Sequence, residues 1–230
     1  FAHRLHMYIH ISHIYKYMKY LIAGSTGLIG KNLVNILSAN NDVIALARRN
    51  YQFPKNVEQL ILDYDKNYEL PKADHLFICL GFPVELLDLV IMRRSVKKLF
   101  YKVDYDYVCN LAKQAKLSGI ENISVISSVG AHAKSFNFYL KTKGLMEQKL
   151  KNLNFKKLNI FQPSHLLGER DKPQGHDVKL FEDITNFSGQ FLFGPLKKFK
   201  NVKAEEIAQL MAKKSSDSNN GINIYTRLDI

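Results

Sequence analysis

Cysteine is scarce in this 230-residue chain, and long apolar runs are absent. Only Cys79 and Cys109 occur, with neither the paired spacing of a zinc site nor clustered histidines nearby. This argues against a disulfide scaffold or a zinc site and is compatible with a reducing compartment. No apolar run reaches the roughly 18 residues that a membrane-spanning helix needs. We therefore expect a soluble, cytoplasmic protein that neither binds a metal nor inserts into a membrane.

The first 17 residues differ from those that follow. They hold four of the eight histidines and no acidic residue, glycine or proline. Met18 then begins a run that reads like a chain starting on its first strand. We expect residues 1–17 to be a non-native or disordered leader, and residues 18–230 to form a single domain whose C-terminal third builds the substrate side. A signal peptide is the alternative, but His and Lys interrupt its apolar positions.

The most informative segment is a short apolar run that leads into three glycines. Leu21 to Gly30 reads LIAGSTGLIG. In a strand-turn-helix unit, the first glycine permits a tight turn, the second lets the backbone approach a pyrophosphate, and the third lets the helix pack closely. A glycine-rich turn without a ligand is the alternative. The candidate dinucleotide loop consists of Gly24, Ser25, Thr26, Gly27, Leu28, Ile29 and Gly30.

Apolar runs alternate with helical stretches along the rest of the chain. Strands are predicted at 43–47, 59–62, 75–80, 123–126 and 158–161, and helices at 31–38, 103–117 and 139–153. This alternation predicts an α/β fold, a doubly wound, mainly parallel sheet of the Rossmann type with helices on both faces.

Residues just after the strands are candidates for ligand contacts, because ligands of such sheets bind outside the carboxyl ends of the strands. Arg48 and Arg49 follow the second strand, where an NAD-specific site would carry an acid, and an arginine there suits a 2′-phosphate. The predicted cofactor is therefore NADP(H), unless the two arginines only solvate a turn. Asp63 is a candidate acceptor near the adenine or a loop cap, and Gly81 lets the backbone lie against the cofactor.

A serine pair and a tyrosine-lysine pair form the candidate catalytic set. Ser127 and Ser128 end the fifth strand, and Tyr139 and Lys143 follow at i, i+4 on one helix face. Tyr-x-x-x-Lys occurs elsewhere in the chain, but only this copy follows a strand with serines at its end. Tyr139 would exchange a proton with a carbonyl or alcohol oxygen that Ser128 binds. Lys143 would assist that transfer and reach the nicotinamide ribose.

An interfacial tyrosine and a surface lysine at the start of a helix are the alternative interpretation of that pair.

The chain is also basic, with a net charge of +12. Basic residues cluster at Arg93, Arg94, Lys97 and Lys98, and again at Lys197, Lys198, Lys200 and Lys203. No helix-turn-helix, zinc-finger or RNP-type signature accompanies them, so we expect a solvated basic surface and no nucleic-acid partner.

Together these motifs resemble the short-chain dehydrogenase/reductase superfamily. The stretches 102–107, 127–132, 137–144 and 163–170 are similar to an atypical branch, the Tat-interacting-protein-like NAD(P)H-binding oxidoreductases. The resemblance implies an NADP(H)-binding protein of similar size. Ser128, Tyr139 and Lys143, together with Arg48, favour an NADP(H)-dependent enzyme that reduces a small carbonyl compound, and we expect a monomer or homodimer. A non-catalytic NADP(H)-binding regulator with protein partners is the alternative. A nucleotide-sugar epimerase or dehydratase ranks last, because little chain follows Lys143 to build a sugar-binding lobe.

Two features depart from that branch. Gln162 stands where the branch usually has an arginine before Pro163, so a contact made by that arginine does not carry over. The segment 82–100 is unlike the usual threonine-rich stretch, and substrate preference does not carry over there either.

Overall fold

The computed structural model describes residues 17–84, 88–89, 91–164, 166–167 and 202–229. The expected leader, apart from Tyr17, lies outside the described residues, as do residues 168–201 of the C-terminal third. Seven strands form the main sheet: β1 (Lys19–Ala23), β2 (Asp42–Ala47), β3 (Val57–Ile61), β4 (His75–Ile78), β5 (Asn122–Ile126), β6 (Lys157–Gln162) and β9 (Gly221–Thr226). A short pair, β7 (Leu166–Leu167) and β8 (Val202–Lys203), lies outside it.

The helices connect these strands. They are α1 (Leu28–Leu37), α2 (Arg94–Tyr101), α3 (Val108–Leu117), α4 (Phe138–Lys151) and α5 (Ala204–Ser216), with a 3₁₀ turn at Arg227–Asp229. A π-helical segment, Lys102–Tyr107, joins α2 to α3.

All seven strands of the main sheet are parallel, in the order β3-β2-β1-β4-β5-β6-β9. The predicted doubly wound α/β fold is therefore confirmed. The direction of winding reverses between β1 and β4, and ligands of such sheets bind at this switch point, outside the carboxyl ends of the strands. The glycine loop follows β1 and Gly81 follows β4, so both lie beside the switch point.

Strand β1 shows why this sheet has helices on both faces. Leu21 and Ala23 are buried in a cluster with α3 and α4, whereas Tyr20 and Ile22 are buried in a cluster with α1 and α5. A strand that is covered on both sides reads as a continuous apolar run, which is how the sequence predicts it.

Two described elements that were not predicted, α2 and β9, bury little. In α2 only Phe100 is buried, and in β9 only Tyr225 is. Both are short, with eight residues in α2 and six in β9, and so short a stretch gives only a weak periodic signal. The helix predicted at 103–117 in fact continues a helical stretch that starts at Arg94 and passes through the π segment. Helix α5, by contrast, has a clear buried stripe that sequence reasoning missed.

Candidate functional site

The glycine loop is built so tightly that two of its glycines have no substitute. Gly24 has a φ of +75°, and a Cβ there would lie 2.5 Å from the carbonyl oxygen of Cys79. A Cβ on Gly30 would lie 2.1 Å from the carbonyl oxygen of Gly24. These clashes are with backbone atoms, which a side-chain rotation cannot relieve. The loop therefore passes close to the end of β4 and lets α1 start directly against it.

The first turn of α1 has backbone amides to offer a ligand. Gly27 is the N-cap, no side chain caps the helix, and its first turn holds no acidic residue. The buried hydroxyl of Ser25 donates instead to the carbonyl oxygen of Leu46 at 3.0 Å, which ties the loop to β2. Uncapped amides at a helix N-terminus are suited to a phosphate group. The loop thus fits the pyrophosphate of a dinucleotide.

The other residues predicted to contact a cofactor lie around the same edge of the sheet. Arg48 and Arg49 are exposed just after β2. Asp63 follows β3, where its carboxylate accepts the Asp65 amide at 3.1 Å and lies 3.5 Å from the Lys66 ammonium. Asp63 therefore caps a turn, as its alternative interpretation has it, and its contact with an adenine stays a prediction.

Lys143 is buried at the carboxyl end of β5. Its ammonium lies 2.7 Å from a carboxylate oxygen of Asp104 and donates to the carbonyl oxygen of Ile126 at 3.4 Å. Burial by itself lowers the pKa of Lys143, but the neighbouring Asp104, Tyr139 and Glu147 outweigh burial, so the pKa is raised. The side chain is therefore held as a cation.

Asp104 is a site residue that sequence reasoning missed. It lies in the π-helical segment, where it is buried, and its second carboxylate oxygen accepts the amide of Phe82 at 2.7 Å. A single carboxylate thus connects the loop after β4 to Lys143. π-helical turns often occur at functional sites, because they redirect side chains that a regular helix would place elsewhere. The only sequence signal was its inclusion in the stretch 102–107.

Tyr139 is positioned by the start of α4. The side chain of Asn137 caps this helix by accepting the Leu140 amide at 3.0 Å. The Tyr139 ring stacks on Phe100, with ring centroids 5.1 Å apart, and none of the described residues hydrogen-bonds its hydroxyl group. The ring of Tyr139 on α4 is therefore held against Phe100 of α2, while its hydroxyl group has no partner among the described residues.

The loop that carries Ser128 is packed directly on α4. The His132 amide donates to the carbonyl oxygen of Leu140 on α4 at 3.1 Å. The Val129 amide donates to the carbonyl oxygen of Pro163, just after β6, at 3.0 Å. A Cβ on Gly144 would lie 2.2 Å from the carbonyl carbon of His132, so only glycine allows this approach. The structure thus brings the three predicted catalytic residues to the carboxyl end of β5, with Ser128 on the loop and Tyr139 and Lys143 on the helix.

A second buried carboxylate that sequence reasoning missed is that of Glu147, four residues after Lys143 on α4. It accepts hydrogen bonds from the Ser127 hydroxyl and the Gln162 amide. The departure from the family pattern at residue 162 therefore has a defined structural contact. For Glu147, the one signal available in the sequence was its position four residues after Lys143.

The remaining sequence features fall outside this site. Arg94, Lys97 and Lys98 are exposed on α2, and Arg93 pairs with Asp88 at 3.0 Å. Among the described residues there is no cluster of His, Cys, Asp and Glu able to hold a metal ion. The helices described are also too short or too polar to cross a membrane.

A parallel doubly wound sheet, a glycine loop after its first strand and a serine-tyrosine-lysine set after its fifth define a nucleotide-binding domain of the short-chain dehydrogenase/reductase class. Residues 20–123 match the NAD dependent epimerase/dehydratase family. The fold is accordingly of the epimerase/dehydratase type.

Two relatives place the chain more narrowly. Protein FMP52, mitochondrial, of Candida glabrata is 32% identical over 175 residues, which is 72% of each chain. Protein HTATIP2 of Rattus norvegicus is 33% identical over 162 residues, covering 66% of this chain and 64% of that protein. The chain belongs to this branch of the atypical short-chain dehydrogenases/reductases, as the sequence motifs predicted.

Solved structures agree on the fold. MoeE5 in complex with UDP-glucuronic acid and NAD superimposes with a TM-score of 0.68 at 14% identity, covering 90% of this chain and 75% of that one. UDP-glucuronic acid 4-epimerase from Bacillus cereus, in complex with NAD, gives a TM-score of 0.65 at 13% identity, covering 91% and 77%. At such identities the likeness concerns architecture alone.

Proposed function

We propose that this protein is an NADP(H)-dependent oxidoreductase that reduces a small carbonyl compound. The observation that carries the proposal is the buried ammonium of Lys143. It lies on the same helix face as Tyr139, and the carboxylate of Asp104 holds it in place. A lysine this deep in a protein is costly unless it is paired, and here it lies at the end of the sheet where ligands of this fold bind.

The glycine loop supports a dinucleotide as cofactor. Gly24 and Gly30 make the close backbone approach possible, and α1 offers uncapped amides to a pyrophosphate. Structural neighbours solved with NAD support the same kind of ligand. Arg48 and Arg49 favour NADP(H), because a guanidinium binds a 2′-phosphate with charge-assisted hydrogen bonds. When bound, the reduced cofactor would supply a hydride.

Residues of the protein would then transfer a proton to the substrate. The Tyr139 hydroxyl, which no described residue engages, donates its proton to the carbonyl oxygen of the substrate as that oxygen becomes an alcohol. The Ser128 hydroxyl hydrogen-bonds the same oxygen. Lys143 stabilises the negative charge left on the tyrosine, and Asp104 keeps the lysine in place.

Compartment and assembly are also proposals. Cys79 and Cys109 are free thiols, which supports a reducing compartment and hence a cytoplasmic location, although the FMP52 relatives are named as mitochondrial. We expect a monomer or homodimer that acts on a small-molecule substrate without nucleic acid or membrane partners.

Two substitutions test the enzyme hypothesis. Tyr139→Phe should leave NADPH affinity near the wild-type value and lower carbonyl reduction about a hundred- to ten-thousand-fold, the usual worth of general acid catalysis. Lys143→Ala should weaken both cofactor binding and turnover. Tyr101→Phe, which removes a phenol hydroxyl from α2, is the matched control and should change neither.

The measurements are NADPH binding by calorimetry and NADPH oxidation on a panel of aldehydes and ketones. Wild-type turnover by the Tyr139→Phe variant would rule out the proton donor. Tight NADPH binding by the native protein without turnover on any carbonyl would favour the non-catalytic regulator.

A further inference from the structure

We propose that Glu147 is a positioning residue of this site, that Gln162 is the neutral clamp that holds it, and that the carboxylate serves to keep Lys143 charged. The effect of Glu147 on Lys143 rests on the proposed function, whereas the contact between Gln162 and Glu147 does not.

One oxygen of Glu147 connects three elements. The side chain lies on α4 and is only 4% exposed. Its Oε1 accepts from the Ser127 hydroxyl at 2.5 Å and from the Gln162 amide at 2.8 Å. Ser127 stands at the end of β5 and Gln162 at the end of β6, so the carboxylate fastens both strand ends to the helix that carries Tyr139 and Lys143.

This arrangement fixes the residue next to Ser128. The Ser127 side chain points back to Glu147, and its amide donates to the carbonyl oxygen of Phe161 at 2.7 Å. With both groups of Ser127 engaged, the backbone that leads into Ser128 has little freedom. Glu147 therefore acts on the substrate-facing serine through its neighbour.

The charge of Glu147 is not neutralised by its hydrogen-bond donors. A hydroxyl group and an amide are both neutral, and the Lys151 ammonium lies 3.8 Å away on a side chain that is 34% exposed. Lys143 lies one helical turn before Glu147 on the same face. A guanidinium at residue 162 would compete for the carboxylate, whereas the neutral Gln162 leaves its field acting on Lys143.

Other groups also act on Lys143. Asp104 faces it from the π-helical segment, and Tyr139 and Glu147 face it from its own helix. Asp104 makes the direct ion pair. Glu147 adds a second buried carboxylate one helical turn after Lys143 on the same helix, so two buried carboxylates act on one buried ammonium, while the Lys151 ammonium that lies 3.8 Å from Glu147 is 34% exposed. That excess favours the protonated lysine.

The test is to follow the Lys143 ammonium by NMR of its side-chain nitrogen, from neutral to alkaline pH, in the full chain. The signal is assigned by its loss in Lys143→Met. Glu147→Gln keeps the shape and an acceptor for Ser127 but removes the charge, so the lysine should lose its proton at lower pH than in the wild type. The matched control is Glu121→Gln, which removes an exposed carboxylate paired with Lys116. It should not shift the titration of Lys143.

A second variant, Gln162→Arg, serves if Glu147→Gln does not fold. It should likewise shift the Lys143 titration to lower pH, because the guanidinium both pairs with Glu147 and adds positive charge. An unchanged titration in either folded variant, even with a lowered melting temperature, would show a merely structural role and overturn the proposal.

Failure of the enzyme hypothesis would look different. In that case the native protein lacks NADPH-dependent turnover while the Lys143 titration still shifts in Glu147→Gln. If the native protein does reduce a carbonyl, Glu147→Gln should lower kcat more than it raises KM, since the group acts on Lys143 and not on substrate binding.

Discussion

The carboxylate of Asp104 and the ammonium of Lys143 lie 2.7 Å apart, and both side chains are almost completely buried. Removing one partner leaves the other charge unpaired inside the protein. Asp104→Ala should therefore lower the free energy of unfolding by about 3 to 5 kcal/mol, as measured by urea denaturation near neutral pH. It should also weaken NADPH binding, because Lys143 would lose its fixed position.

The matched comparison is the double variant Asp104→Leu with Lys143→Met, which removes both charges. It should regain most of the lost stability, since an apolar pair of similar volume often replaces a buried ion pair without loss. The pH dependence has a defined sign. Because the pKa of Lys143 is raised on folding, the stabilisation is complete below the pKa of an unfolded lysine and is lost as pH rises through the folded value. Equal stability of Asp104→Ala and wild type would contradict this interpretation.

Gly30 gives a second prediction. A Cβ there would lie 2.1 Å from the carbonyl oxygen of Gly24, so Gly30→Ala should force the loop and α1 apart and lower the melting temperature by several degrees. Gly81→Ala is the control, because a Cβ at that position would lie 3.9 Å from its nearest neighbour, an oxygen of Asp104. Thermal unfolding of both variants provides the comparison, and similar melting temperatures would argue against the crowding.

Much of the fold is predictable because strands buried on two sides leave a strong local pattern. β1, β2 and β5 each read as an apolar run in the sequence, and the glycines after β1 mark a turn that tolerates few other residues. These are short-range properties. They give the sheet, its parallel winding and the place of the loop without any knowledge of distant contacts.

The contacts beneath the site are different in kind. Asp104 meets Lys143 only because a π turn redirects it, and Glu147 meets Gln162 only because β5 and β6 lie in a defined register beside α4. Neither fact has a local pattern in the sequence. Helix α2 was missed for another reason: Val96, Leu99 and Phe100 share one face, but the helix spans only eight residues, which is too short for a clear periodic pattern.

His75 should make the protein sensitive to mild acid. The ring is buried at 1% exposure, and its Nε2 lies 2.8 Å from the Ser124 hydroxyl. Burial, helped by the nearby Lys157, lowers the pKa of His75 from 6.5 to about 3. Between these values the unfolded chain binds a proton that the folded chain does not, so stability falls as pH drops from 6.5 toward 3.

The substitution that tests this is His75→Gln, which keeps a group able to hydrogen-bond Ser124 but does not titrate. Between pH 7 and pH 5, the wild type should lose about 2 kcal/mol more unfolding free energy than the variant. Urea denaturation at the two pH values gives the difference. An equal loss in both proteins would mean that His75 is not the acid-sensitive group.

Arg48 should decide between the two nicotinamide cofactors. It is exposed after β2 at the edge of the candidate dinucleotide site, and the sequence offers no acid there for a ribose 2′-hydroxyl. A charge-assisted contact to a phosphate is worth about 1.5 to 3 kcal/mol, so NADPH should bind about ten- to a hundred-fold more tightly than NADH. Arg48→Ala should reduce NADPH affinity toward that of NADH and leave NADH affinity unchanged. Arg94→Ala, an exposed arginine on α2, should alter neither affinity. Calorimetry with both cofactors on the three proteins tests this, and the preference for NADP(H) would have to be abandoned if the wild type bound the two equally.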